Sequence, residues 1–297
     1  MKRLSIAIPA SVVSDTPHLR EKTSKIGLIG RTVAIFRVNE IIVYPDLPGS
    51  GQQKDMNLVT TLLVYMETPQ YLRKALFKLS PELQYAGILP PLRTPHHPLD
   101  RRGKDLKVGE FREGVILSKT ERGGFIDIGI EEPVLIPNLE FPIGKRVTVK
   151  VARVGKHIEA KIADRYETPQ YWGYKVTLEK HSLGEIIKSR SSSLTLATSR
   201  YGKPFAQVAG QIGQSWERTD DVLIAFGAPS MGLSEIVKRE GLRLDDLFDF
   251  VVNTIPSQGT KTVRTEEAII ASLATFNILF TAKASLPYSG KTVSRHV

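Results

Sequence analysis

Two stretches in the C-terminal half of this 297-residue chain gather the residue types that can hold a small ligand. The first, Gly227 to Gly232, reads GAPSMG after the apolar run DVLIAF, and its small side chains let a flat molecule lie against the main chain. A tight strand-to-helix turn is the plainer reading of the same residues. The second, NTIPSQGTKTVRTEEA, begins at Asn253 after FDFVV. Asn253, Gln258 and Thr262 offer donors and acceptors there, Pro256 stiffens the path and Gly259 permits unusual φ. Thr265 is expected to cap the following helix. Glu266 and Glu267 then sit in its first turn, where the helix dipole favours negative charge without any chemical role. Each stretch joins a short apolar strand to a helix. In open α/β sheets such loops line the ligand crevice, because unpaired N–H and C=O groups converge there beside helix N-termini.

Two nucleotide motifs fail at this place. SQGTKT ends like a phosphate-binding loop, but Thr260 follows Gly259 where lysine is required, and no earlier glycine has the right spacing. No G-x-G-x-x-G with a downstream acid is present in the region either. The pattern fits a nonphosphorylated nucleoside held by backbone groups and by apolar side chains such as Ile255 and Met231. With no cysteine, thiolate chemistry, disulfides and Cys-ligated metals are excluded, and no metal is expected. His96 and His97 are adjacent, so they cannot share a helix face as i, i+4 ligands do, and they read as linker or RNA-facing residues.

The elements that would position these loops alternate. LSIAIPASVV reads as a strand, PHLREKTSKIGLIGRTVAIFRV as a helix, EIIVYPD as a strand, and MNLVTTLLVYME with TPQYLRKALFKL as helices. At ILPPLRTPHHPLDRRGK the pattern breaks into a proline-rich, basic connection. From Val108 to Ala163 short strands separated by glycine pairs and Pro-Asn imply an all-β module of OB-like type, inserted because α/β texture resumes after it. The expected division is 1–95 with 166–284 as a parallel α/β domain with helices on both faces, 96–165 as the inserted barrel, and 285–297 as a tail. ETPQY occurs at Glu67 to Tyr71 and again at Glu167 to Tyr171, too short a match to establish duplication.

The formal charge of +10 and the pI near 9.6 point to a polyanion such as nucleic acid, with simple solubility as the bland alternative. Arg101, Arg102, Lys104 and Lys107 make the entrance to the insert basic, and Phe111 and Phe125 can stack on bases unless they are core. Lys188, Arg190, Arg200 and Lys203 follow one another with no acid between them and are candidate phosphate contacts. No segment approaches the roughly 20 apolar residues that span a bilayer. A cytoplasmic location and no membrane partner are expected.

On LSIAIPASVV, GRTVAIFRVNEIIVY, ETPQYLRKALF, LQYAGILPPLRTPHH, EFREGV, PQYWGYKV and above all VNTIPSQGTKTVRTEEAIIASL, the chain resembles the SPOUT superfamily of S-adenosylmethionine-dependent RNA methyltransferases. The similarity is to its archaeal and eukaryotic group with an OB-like insert. The resemblance implies a trefoil knot in the α/β domain, a homodimer, and S-adenosylmethionine bound in the knot loops. By position those loops are Thr198 and Ser199, then Phe226, Gly227 and Ala228 to Gly232. The third runs through Asn253, Thr254, Ile255, Pro256 and Gln258 and on through Thr262, Val263, Arg264 and Thr265 to Glu267, with Ala268 beside it. It also implies in-line methyl transfer to an RNA nitrogen or 2′-oxygen, uridine N3 of ribosomal RNA being one acceptor. Arg31, reaching from a partner subunit, and Arg264 at the loop mouth are the candidate catalytic arginines. A noncatalytic RNA-binding or ribosome-assembly factor with the same fold is the principal alternative, and a small-molecule enzyme is a third.

Overall fold

The computed structural model describes residues 2–47, 51–100, 102–190 and 193–281. The tail 285–297 and Arg101 lie outside them. Six strands form one sheet: β1 (Arg3–Pro9), β2 (Glu40–Tyr44), β8 (Lys175–Leu178), β9 (Leu194–Pro204), β10 (Asp221–Ala225) and β11 (Phe250–Asn253). Their order is β11-β9-β10-β1-β2-β8, and every pairing is parallel. Near-continuous apolar runs such as SIAI and VLIA form strands of this kind because both faces are covered.

Alternation along each strand divides the core. Ile6, Ile8, Ile41, Val43, Ile224 and Phe226 face one layer, with α1 (Leu19–Ile35), α2 (Gln53–Glu67), α5 (Phe205–Arg218) and α8 (Thr265–Thr281). Ala7, Ile42, Tyr44, Leu223 and Ala225 face the other, with α4 (Leu183–Ser189), α6 (Leu233–Arg239) and α7 (Leu244–Leu247). Each fully buried Ile or Leu stabilises the sheet by roughly 1.5–3 kcal/mol. The helix α5 had no counterpart in the sequence reading. Gly210 and Gly213 weaken it by about 1 kcal/mol each relative to alanine, yet Phe205, Val208, Ile212 and Trp216 recur on one face and pack on the core.

The short helix α3 (Gln70–Leu76) leads to the linker and then to a second sheet. Its strands are β3 (Phe111–Thr120), β4 (Gly123–Asp127), β5 (Val134–Ile136), β6 (Arg146–Arg153) and β7 (Glu159–Ala163). All pair antiparallel in the order β5-β4-β3-β6-β7, and the two edges β5 and β7 lie beside each other, which nearly closes a barrel around Ile116, Ile126, Val149 and Val151. The two ETPQY copies differ in structure. The first ends α2 and starts α3, whereas the second ends a short 3-10 turn and continues as irregular chain.

Candidate functional site: a cleft at the ends of three strands

Where β9, β10 and β11 end, residues 198–201, 226–235 and 253–255, with Gln258, Thr262, Val263, Thr265 and Ala268, enclose a cavity of about 310 Å³. The ligand residues expected from the sequence thus border one space, except Pro256, Arg264, Glu266 and Glu267. The segments are tied to one another directly. Asn253 Nδ2 donates to the Arg200 carbonyl at 2.9 Å, and Arg200 Nη1 donates to the Lys261 carbonyl at 2.8 Å. Thr265 Oγ1 donates to the Gly227 carbonyl at 2.9 Å. Below them Tyr44 donates to the Phe226 carbonyl at 2.9 Å, and Thr198 Oγ1 to the Ala225 carbonyl at 2.9 Å. Burial, with the charges of Asp46 and Glu240, pushes the Tyr44 phenol above its ordinary pKa and keeps it a donor.

These bonds revise the expected roles. Thr265 does not cap α8. It begins the helix and locks the third loop to the second, while Glu267 Oε2 accepts from the Arg264 N–H at 2.9 Å, a reach-back that satisfies the helix end. Asn253 uses its amide internally, with Oδ1 also accepting from the Ile255 N–H at 2.9 Å. Thr254 Oγ1 shares a hydrogen bond with Ser272 at 2.8 Å, and Gln258 Nε2 donates to the Thr260 carbonyl at 2.9 Å. With these side chains engaged, the lining left to a ligand comprises the apolar Met231, Leu233, Ile255 and Ala268 and the polar Ser230, Ser234 and Glu235. Gly227 sits where the loop closes tightly on itself. A Cβ there stands 3.1 Å from the Met231 carbonyl oxygen and 3.2 Å from the Gly232 Cα, both backbone atoms.

Tyr201, Ser234 and Glu235 also line the cleft and were missed in the sequence, where no motif marks them. Glu235, exposed in the first turn of α6, is the carboxylate among these lining residues. Tyr201 stands on a bulge. The β9–β11 register runs from Ala197 opposite Val251 to Lys203 opposite Val252, so residues 198–202 are looped out at the crossing of the two strands.

Neither candidate catalytic arginine lines the cleft itself, although Arg264 stands between Val263 and Thr265, which do. Arg31 donates to the carbonyls of Pro91 and Leu92, which ties α1 to the linker, and does not border the cleft within the chain. Arg264 is exposed just before α8. The basic run is divided in space. Lys188 and Arg190 precede β9 at one end of the sheet, and Arg200 and Lys203 occupy its other end. Arg190 is not free for phosphate, since it pairs with Glu40 at 3.0 Å and Asp221 at 3.8 Å. Burial works against the Glu40 charge, but bonds from Thr177 and Arg190 and the charges of Arg190 and Arg3 hold its pKa down at about 2. Lys104, Lys188, Lys203 and Arg200 are exposed, while Arg102 is held by Asp105 at 2.6 Å. Phe111 meets Trp172 edge to face and carries the Lys150 ammonium 5.1 Å from its ring centre.

The histidines are structural. His96 is fully buried, and Nε2 atoms of both His96 and His97 contact the Glu67 carbonyl, at 2.9 and 2.7 Å. This corrects their reading as RNA-facing residues. They are drawn inward because Glu67, Arg146, Glu113 and Trp172 build a polar junction between sheet and barrel: Arg146 joins Glu67 and Glu113, each at 2.5 Å, and Trp172 Nε1 donates to Glu113 at 2.5 Å. Among the described residues no group of three or more His, Asp or Glu is placed to hold a metal ion. No described helix is long and apolar enough to cross a membrane.

Comparison with known proteins places this cleft in a family. Residues 3–276 match the profile of a family described as "Putative RNA methyltransferase". An uncharacterized protein of Haloarcula marismortui is 34% identical over 285 residues, covering 91% of this chain and 96% of the relative. The human 28S rRNA (uridine-N(3))-methyltransferase is 33% identical over 301 residues, 91% of this chain and 77% of that protein. The mouse protein of the same name is 34% identical over 316 residues, 96% and 79% respectively. The chain belongs to this family of RNA methyltransferases.

Proposed function

We propose that the cleft holds S-adenosylmethionine, that the α/β domain is knotted through it, and that the protein works as a homodimer methylating N3 of a uridine in large-subunit ribosomal RNA. The observation that carries the reading is the meeting of three loops around one cavity at the ends of β9, β10 and β11, tied together by side chains that donate to main-chain carbonyls of the neighbouring loop. The space suits such a molecule. Its volume falls at the low end of the roughly 300–1,000 Å³ of small-molecule pockets.

When bound, the donor supplies an electrophilic methyl group on a sulfonium. The chain's own part is to align and to manage a proton. As the bond to uridine N3 forms, the N3 proton leaves to the Glu235 carboxylate, and the Arg200 guanidinium stabilises the negative charge that collects on the uracil oxygens. The knot draws support from the looped-out residues 198–202 and from the Arg200–Lys261 and Thr265–Gly227 ties, which hold the third loop across the other two. The dimer draws support from α1 and α8, which pack side by side and leave Ile35 and Ile278 exposed at 57% and 73%.

Incubation with unmodified large-subunit ribosomal RNA and S-adenosylmethionine is expected to yield 3-methyluridine by mass spectrometry of the digested RNA. RNA that is bound but gains no methyl group would instead support the noncatalytic reading.

A further inference from the structure

A second hollow, of about 480 Å³, opens at the sheet edge beside the cleft, between β11, α5 and α7. The two spaces share one side chain, Tyr201, which is 81% exposed. So exposed a large aromatic side chain has no packing role in the chain, yet its support is rigid. The Arg200 guanidinium lies 4.6 Å from its ring centre and is itself held by the Lys261 carbonyl. At the next residue, a Cβ on Gly202 would stand 2.6 Å from the Val252 carbonyl carbon, so the strand crossing fixes the bulge that presents the ring.

The rest of the hollow suits an unpaired nucleotide. Lys203 brings an exposed ammonium, Gln211 and Asp245 bring exposed groups that can read a base edge, and Phe250 belongs to an edge strand that pairs only with β9 among the described strands. Asp249 also borders it, but one of its carboxylate oxygens already accepts from the Thr195 N–H and hydroxyl, each at 2.8 Å.

We infer that this hollow is an RNA subsite, in which a nucleotide neighbouring the methyl acceptor stacks its base on Tyr201 with its phosphate toward Lys203. The inference rests on the proposed methyl transfer for the meaning of the first cleft. An aromatic platform there, at the wall between the two spaces, splays the strand so that the neighbouring base can enter the cleft.

The test compares Tyr201→Ala, Tyr201→Phe and Tyr201→Trp in the full chain, with unmodified large-subunit ribosomal RNA made by transcription as the probe. Because the ring is exposed, none of these changes removes core packing. Tyr201→Ala is expected to weaken RNA binding, and to raise the KM for RNA, about tenfold, in keeping with the loss of one base stack. Because the ring also lines the cleft, S-adenosylmethionine binding is measured beside it by calorimetry: a loss for the cofactor as large as the loss for RNA overturns the subsite, and Tyr201→Phe is expected to retain RNA affinity. In Tyr201→Trp the added indole emission is quenched by RNA. Wild-type RNA affinity in Tyr201→Ala overturns the subsite, and so does a loss of dimer in sedimentation, which would make the ring an interface residue. If the unaltered protein methylates nothing, the transfer reading fails, while the affinity comparison still decides the subsite.

Discussion

Asn253, Thr254, Gln258 and Thr265 read in the sequence as ligand contacts, and in the fold each has a partner within the protein. Their work is to set loop shape, so replacing them acts on the ligand indirectly. Thr265→Val removes the bond to the Gly227 carbonyl and is expected to cost about 1 kcal/mol of stability and to weaken cofactor binding, measured by denaturant titration and calorimetry. Gly227→Val acts by displacing the loop itself. Its branched side chain meets the Met231 and Gly232 backbone and is expected to reduce affinity for S-adenosylmethionine more than about tenfold with an unchanged circular dichroism spectrum, a factor near 1.4 kcal/mol. Glu235→Gln separates binding from proton handling. A fall in kcat with cofactor affinity retained supports the carboxylate as proton acceptor, and unaltered turnover removes it from that role.

At the scale of elements, the junction of sheet and barrel concentrates titratable groups. Burial, and next the neighbouring His96 charge, push His97 down to about 4 from 6.5. The folded form therefore resists a proton that the unfolded chain accepts, so this part of the stability is complete above pH 6.5 and is lost as pH falls toward 4. Glu67 adds a second step. Burial opposes its charge, but Arg146 and His96 outweigh it and hold the carboxyl at about 2 against 4.5, so its contribution is present above pH 4.5 and is lost as pH falls through 2. Thermal unfolding followed from pH 7 to 3 is expected to show both declines. Glu67→Gln is expected to cost about 3 kcal/mol at neutral pH, near the low end for a broken buried pair because Arg146 keeps Glu113, and to flatten the lower step. The first ETPQY copy supplies Glu67 and Tyr71, whose hydroxyl donates to the Glu113 carbonyl at 2.8 Å. The second supplies Tyr171, which donates to the Val38 carbonyl at 2.8 Å. The first copy thus ties α3 to the barrel, and the second ties the chain before β8 to the turn before β2.

For the whole molecule, the charge of +10 belongs to an RNA partner in this reading, and affinity for ribosomal RNA is expected to fall steeply as salt rises. A flat salt response would leave the charge as a solubility feature. The helix α8 is largely apolar after its first turn, and one face of it covers the core through Ile269, Leu273 and Phe276. Ile278→Arg is expected to shift sedimentation from dimer to monomer without loss of helix content. A monomeric unaltered protein would refute the dimer.

The sequence by itself determined the parallel sheet, the β insert and the loops of the cleft. Their signals are local, in the apolar runs of β1, β2 and β10, the glycine-punctuated strands of the barrel, and the loops after β10 and β11, whereas the loop at Thr198 and Ser199 came only with the family resemblance. Helix α5 was legible too, since Phe205, Val208, Ile212 and Trp216 share one face, and only its two glycines speak against a helix there. Only the tertiary structure decided what each polar side chain is for. Whether Arg190 meets phosphate or Glu40, whether His96 faces RNA or Glu67, and whether Thr265 caps a helix or locks Gly227 depends on partners far away in the chain. Hydrogen bonds and ion pairs are made at contact distance, and sequence spacing carries no record of which distant group the fold brings there.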